Sequence, residues 1–85
     1  MNRQQIGGAA ILSQSVRAVL AEAEGRLNAA GIEQPALEAA WLLEYVLHLS
    51  PLMQRVNAER QLTVAECERV RALIARRANR EPLQY

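Results

Sequence analysis

The stretch Pro35-Ala36-Leu37-Glu38-Ala39-Ala40-Trp41-Leu42-Leu43-Glu44-Tyr45-Val46-Leu47-His48-Leu49 decides the fold. Pro35 suits a first helical position, because its fixed φ is already helical and its missing N–H would have had no partner there. The residues after it are rich in Ala, Leu and Glu, all strong helix formers. Only Glu38, Glu44 and His48 interrupt the apolar surface. A helix that is apolar over most of its circumference is buried by its neighbours, so this one belongs at the centre of a bundle. A sandwich or barrel would lack its filling, since β-branched residues are few and the only aromatics are Trp41, Tyr45 and Tyr85.

Outward from this helix, punctuation marks its neighbours. Upstream, Val16, Val19, Leu20, Ala23, Leu27 and Ala30 recur at steps of three and four, which predicts a helix over residues 13–30. Gly31 stands where a left-handed cap ends it. Gly25, inside that helix, marks a close helix contact or a bend. Downstream, Ser50-Pro51 repeats the start signal and predicts a short third helix through Leu52, Met53 and Val56. Thr63-Val64-Ala65-Glu66 is a capping box that opens a fourth, with Cys67, Val70, Leu73 and Ile74 inward. It should stop before Glu81-Pro82, because residues preceding proline are pushed out of helical geometry. The expected fold is an all-α bundle of four to five helices, cored by Leu20, Leu27, Leu42, Leu43, Val46, Leu47, Val70, Leu73 and Ile74. Residues 1–12 read as an N-terminal extension or short helix, 13–80 as the helical domain and 81–85 as the start of a linker.

Composition bounds the function. Eighty-five residues hold one domain, and with 51% apolar and 22% charged residues the chain folds rather than staying disordered. Every base is Arg and every acid is Glu. One cysteine, Cys67, forms no internal disulfide, and with one histidine, His48, it cannot make a four-ligand zinc site. No apolar run nears the roughly 18 residues of a membrane span. The start Met1–Leu12 is only faintly like a signal peptide, because glycines interrupt its apolar part and an ordinary amphipathic helix comes next. Together these favour a cytoplasmic protein. Net charge is only +1, but it is unevenly spread: residues 21–50 hold five Glu against Arg26, and residues 51–85 hold seven Arg against four Glu.

The chemistry is thin. Gly7-Gly8 is followed by Ala-Ala-Ile-Leu, which is no phosphate loop. Ser13, Ser15 and Ser50 read as helix caps rather than nucleophiles. Glu44 and His48, four apart, form either a hydrogen-bonded acid/base pair or, more simply, a solvated surface pair. Cys67 is in phase with Val70 and Ile74 and reads as a small core residue. Trp41 and Tyr45 read as core or core edge, with an anchor for a second domain as the alternative. No catalytic, cofactor-binding or metal-ligating residue is assigned. The live feature is the arginine cluster Arg69, Arg71, Arg76, Arg77 and Arg80 on the last helix. The macrodipole favours cations there without any partner, yet guanidiniums also hold carboxylates or phosphates bidentately. A solvated face, a protein contact and a nucleic-acid contact are the three readings, the last disfavoured because only Asn79 is near to read base edges.

The order of residues says more. Residues 27–43 fit the pattern L-x-x-A-G-I-x-x-P-x-x-E-A-x-x-L-L, which resembles the N-terminal domain of HemK/PrmC proteins, and Arg76-Arg77-Ala78-Asn79-Arg80-Glu81-Pro82-Leu83-Gln84-Tyr85 is similar to that family's R-R-x-x-R-E-P-L-Q-Y segment, which joins this domain to the catalytic one. The resemblance covers roughly residues 15–85. It implies a parent enzyme that uses S-adenosylmethionine to methylate the glutamine of the Gly-Gly-Gln motif in class-1 peptide release factors. The family's Gly-rich cofactor loop and Asn-Pro-Pro-Tyr motif do not occur in these residues, so no catalytic or cofactor residue is carried over. The expectation is an N-terminal piece of a longer protein, ended in its linker, that helps to hold the release factor. Either the basic end (Arg69, Arg76, Arg77, Arg80) or an acidic patch (Glu22, Glu24, Glu38) would contact it. Trp41, Tyr45, Pro82 and Tyr85 would face the parent's own catalytic domain. The rival reading is a helical nucleic-acid-binding module that uses the same arginines.

Overall fold

The computed structural model describes residues 14–80 and builds them into four helices: α1 (Val16–Ala29), α2 (Pro35–Leu47), α3 (Pro51–Val56) and α4 (Val64–Ala78). The short helix considered for residues 1–12, and the linker with Pro82 and Tyr85, lie outside the described residues.

Each helix end has a local cause. Ser15, two residues later than the expected start, caps α1: its hydroxyl accepts the Ala18 N–H at 3.1 Å. Gly31 ends that helix at φ 82, where the Gly31 N–H donates to Asn28 O and the Ile32 N–H donates to Leu27 O, both at 3.0 Å. This is the paired termination that glycine permits, with Leu27 and Ile32 both buried beneath it. Pro35 opens α2 as expected, and His48 closes it in a left-handed conformation at φ 60. Ser50 caps α3 through the Met53 N–H at 3.2 Å. In the capping box of α4, Glu66 N–H donates to Thr63 Oγ1 at 3.1 Å and Thr63 N–H to Glu66 Oε1 at 2.9 Å.

Helix α2 packs against the other three, and α1 also crosses α4. Val16, Val19, Ala23 and Leu27 of α1 meet Ala39, Leu42, Leu43, Val46 and Leu47 of α2 and Cys67, Val70 and Ile74 of α4. Two expected core residues, Leu20 and Leu73, are only half-buried. Each sits about 100° around its helix from a fully buried neighbour, Val19 or Ile74, which places it on the margin of the apolar face. A clasp holds the start of α1 to the loop before α4: Val16 N–H donates to Arg60 O and Arg17 N–H to Ala58 O, both at 2.9 Å, and Leu62 N–H donates to Gln14 O at 2.8 Å. The resulting Ser15–Gln61 bridge is antiparallel.

Helix α3 forms where Ser50-Pro51 predicts it. Leu52, Met53 and Val56 are exposed, and the buried residue is Gln54. Its Nε2 donates to Ala40 O at 2.9 Å and Leu49 O at 3.0 Å, so the inward position goes to a side chain that can satisfy backbone carbonyls. Gln54 Oε1 is buried without a protein donor.

Gly25 makes no close contact, since a Cβ built there would meet nothing within 4 Å. It lies exposed within a continuous α1. Gly25→Ala should therefore stabilise the chain by about 0.5–1 kcal/mol, because the unfolded backbone loses freedom and nothing clashes. A raised urea midpoint at constant slope is the expected readout, and an unchanged or lowered midpoint would contradict it.

Candidate functional site

Four of the side chains singled out in the sequence, Glu38, Trp41, Arg77 and Arg80, meet at one end of the bundle. There a cleft of about 420 Å³ opens between the Gly31–Gln34 turn, the first two turns of α2 and the end of α4. Leu37, Glu38 and Trp41 line one side, Arg77 and Arg80 the other. The two sides are tied together. Arg77 Nε donates to Glu38 Oε1 at 2.6 Å and Nη2 to Glu38 Oε2 at 3.1 Å, a bidentate pair in which both side chains are largely shielded. This pairing raises the Arg77 pKa above its ordinary value, the hydrogen bonds it donates to Glu38 being the main cause. Beyond it, Arg80 takes the left-handed conformation at φ 69. Its Nη2 reaches to 3.2 Å from the point a Cβ on Gly31 would occupy.

Leu37, Trp41 and Tyr45 succeed one another at four-residue spacing and are 42%, 43% and 38% exposed, a stripe on the outer face of α2. Trp41 and Tyr45 are thus surface residues, not core. The reason is rotational: α2 turns Leu42, Leu43, Val46 and Leu47 inward, which leaves positions 37, 41 and 45 facing out.

The charged residues sort into two groups. Arg71 grips Glu22 bidentately, with Nε to Oε2 and Nη2 to Oε1 both at 2.9 Å. Arg26 Nη1 lies 3.9 Å from the same carboxylate. Glu22 and Glu38 are therefore engaged with α4 arginines rather than gathered into one acidic patch, and Glu24 stands exposed on α1. Arg69 and Arg76 are exposed on the outer face of α4, seven residues apart and so on one side of that helix. The intramolecular pairs, and the roles of Arg71 and Gly31 in them, have no local signature; only the net charges of the two halves hinted at attraction between them.

Glu44 and His48 do not form a helical pair, because His48 has left the helix at its left-handed cap and both are exposed. Burial pushes the Cys67 thiol up, and its Sγ donates to Gln14 Oε1 at 2.9 Å, the behaviour of a small core residue. Among the described residues no group of three or more His, Cys, Asp or Glu is placed to hold a metal ion. No helix in them is long and apolar enough to cross a membrane. The cleft offers an exposed guanidinium, an indole face and a leucine side chain, which are groups for binding.

Two carboxylates make the bundle acid-sensitive. The guanidinium of Arg71 holds the Glu22 carboxyl below its ordinary 4.5, and the Thr63 N–H does the same for Glu66. A folded-state pKa below the unfolded value means that the unfolded chain takes up protons first as pH falls. The stabilisation is therefore complete above about pH 5 and is lost as pH drops through 4.5 and the lower folded-state values. The melting temperature should fall over that window, and less steeply in a Glu22→Gln/Glu66→Gln variant. Parallel curves for the two proteins would refute the assignment.

A family model described as the PrmC N-terminal domain matches residues 18–85. The chain is 42% identical over 71 residues to a release factor glutamine methyltransferase of Geobacter sulfurreducens, covering 84% of this chain and 25% of that protein. It is 37% identical over 71 residues to a bifunctional methyltransferase of Rickettsia conorii, covering 84% of this chain and 14% of that one. A release factor glutamine methyltransferase of Rhodospirillum rubrum is 41% identical over 58 residues, 68% of this chain and 18% of the relative. The chain thus spans a quarter or less of the length of these relatives. No solved structure matches.

Proposed function

The chain belongs to the PrmC N-terminal domain family, and from that premise we propose that it is the docking module of a release factor glutamine methyltransferase. The parent would transfer the methyl group of S-adenosylmethionine to the glutamine nitrogen of the Gly-Gly-Gln motif in a class-1 peptide release factor. In this reading the reaction belongs to the parent's catalytic domain in the cytoplasm, and these residues contribute orientation and binding energy to it.

The observation that carries the reading is the exposed surface at the end of α4, where the cleft with Trp41 and Arg80 adjoins the outer face bearing Arg69 and Arg76. Arg69, Arg76 and Arg80 present the charge that meets the release factor. Arg77 and Glu38, engaged with each other, shape the cleft wall. Of the acidic alternative, Glu24 is the member outside such a pair. The stripe of Trp41 and Tyr45, with Pro82 and Tyr85 beyond the described residues, is assigned to the parent's catalytic domain. A nucleic-acid contact is supported less, because Arg71 and Arg77, two of the five clustered guanidiniums, already hold carboxylates.

The test uses the full-length parent. Arg69→Glu/Arg76→Glu should lower kcat/KM for release-factor methylation about tenfold or more, through KM. An unchanged kcat/KM at low salt would overturn this assignment. Tight binding of duplex DNA that weakens steeply with salt would favour the rival instead.

A further inference from the structure

The two stretches that carry the family resemblance, residues 27–43 and 76–85, meet across the cleft through Arg77 and Arg80 of the second. They touch at two points: Arg77 pairs with Glu38, and the Arg80 guanidinium lies over the Gly31 turn. We propose that Arg77 and Arg80 are positioning residues, a latch that ties the end of α4 to the α1–α2 turn and fixes the direction in which the chain leaves the bundle.

The core alone cannot fix that direction. Ile74 is the last buried residue of α4, and Ala75, Arg76 and Asn79 beyond it are exposed. Four residues of α4 follow Ile74, roughly 6 Å of helical rise that apolar packing scarcely grips, and Asn79 and Arg80 come after them. A helix end with few buried contacts frays at little cost. Arg77 lies in this stretch and holds it to α2 through two parallel hydrogen bonds, a geometry that restrains rotation as well as distance.

Arg80 supplies the second point, at a cost. A residue with a Cβ is disfavoured in the left-handed region, and glycine would occupy the site without that penalty. Strained backbone persists where its surroundings over-determine it. Here the left-handed turn brings the side chain back into the cleft, with its Nη2 3.2 Å from where a Cβ on Gly31 would stand. With Gly31 also at positive φ, two left-handed residues far apart in the chain face each other across the cleft.

The consequence for catalysis rests on the proposal that a catalytic domain comes after Tyr85. With the end of α4 latched, that domain starts from a fixed point and heading relative to Arg69 and Arg76, so a release factor held by the bundle meets the catalytic site in a restricted range of orientations. Unlatched, the same affinity would be spread over many orientations, and kcat would fall more than KM would rise.

The test separates the latch from the proposed function. In the 85-residue chain, a nitroxide on Tyr85→Cys is read by paramagnetic broadening of bundle amides; the buried Cys67, with its raised pKa, leaves the label on residue 85. With the latch intact, broadening should concentrate on one side of the bundle. In Arg80→Gly, which relieves the backbone strain and so does not destabilise the fold, and in Arg77→Gln, it should even out, with the strongest effects falling at least twofold. The exchange Arg77→Glu/Glu38→Arg should restore much of the pattern. The same broadening in every variant would overturn the latch whether or not the parent methylates release factor. In the full-length parent, Arg80→Gly should lower kcat about tenfold, beyond any rise in KM from the lost charge, and an unchanged kcat would overturn its role in positioning the next domain.

Discussion

Leu43→Ala is expected to destabilise the bundle by about 2–5 kcal/mol, the range for shortening a fully buried leucine. Leu43 is completely buried on α2, which packs against the other three helices. Alanine is at least as good a helix former, so local propensity does not add to the loss. The loss comes from the removed apolar contact and from a void that α1, α3 and α4 would have to close together. At roughly 0.05–0.15 kcal/mol per residue, a chain this short has only about 4–13 kcal/mol to lose. The variant should be partly unfolded near 37 °C, with a clearly lowered urea midpoint followed by helical circular dichroism. A loss under about 1 kcal/mol would mean that the core around Leu43 is loosely packed.

Gln54→Glu is expected to be comparably damaging, on the order of 3–5 kcal/mol near neutral pH, although it exchanges one amide for a carboxylate of the same shape. Gln54 is 2% exposed, and its Nε2 donates both of the hydrogen bonds that anchor it, to Ala40 O and Leu49 O. A carboxylate has no such donor and would set negative charge against two carbonyl oxygens. Gln54→Leu should be milder, about 1–3 kcal/mol: it loses the same two bonds but also removes the buried, unpartnered Oε1. The order native, Leu, Glu in denaturation midpoint is the check. A Leu variant as stable as native would show that the two amide bonds contribute nothing net.

These two residues mark what can be read from the sequence and what cannot. Leu43 is legible as core because it sits in a helix with few polar interruptions, and Pro35, Gly31, Ser50, Thr63 and Glu66 are legible because caps are chemistry between residues two to five apart. Gln54 is not. In a helix of six residues the apolar pattern does not single out position 54, and its amide meets the Ala40 and Leu49 carbonyls, 14 and 5 residues away, only once the chain is folded. The site divides in the same way. The arginine-rich end and the exposed candidates on α4 are visible as a charge run, and the aromatics at 41 and 45 as a pair. That Arg77 meets Glu38 and Arg71 meets Glu22 is not visible, because these partners are 39 and 49 residues apart and carry no local pattern.

The clasp at the start of α1 has a kinetic consequence. The first amides of a helix ordinarily have no acceptor within it and exchange their hydrogens with water quickly. In α1, Val16 and Arg17 instead donate to Arg60 O and Ala58 O, Ala18 to the Ser15 hydroxyl and Val19 to Ser15 O. Deuterium uptake at Val16 and Arg17 is thus limited by detachment of the connection between α3 and α4, about forty residues away in sequence, and not by unwinding of α1. Two amides near the start of the described chain serve as clocks for the opening of the loop that leads into α4.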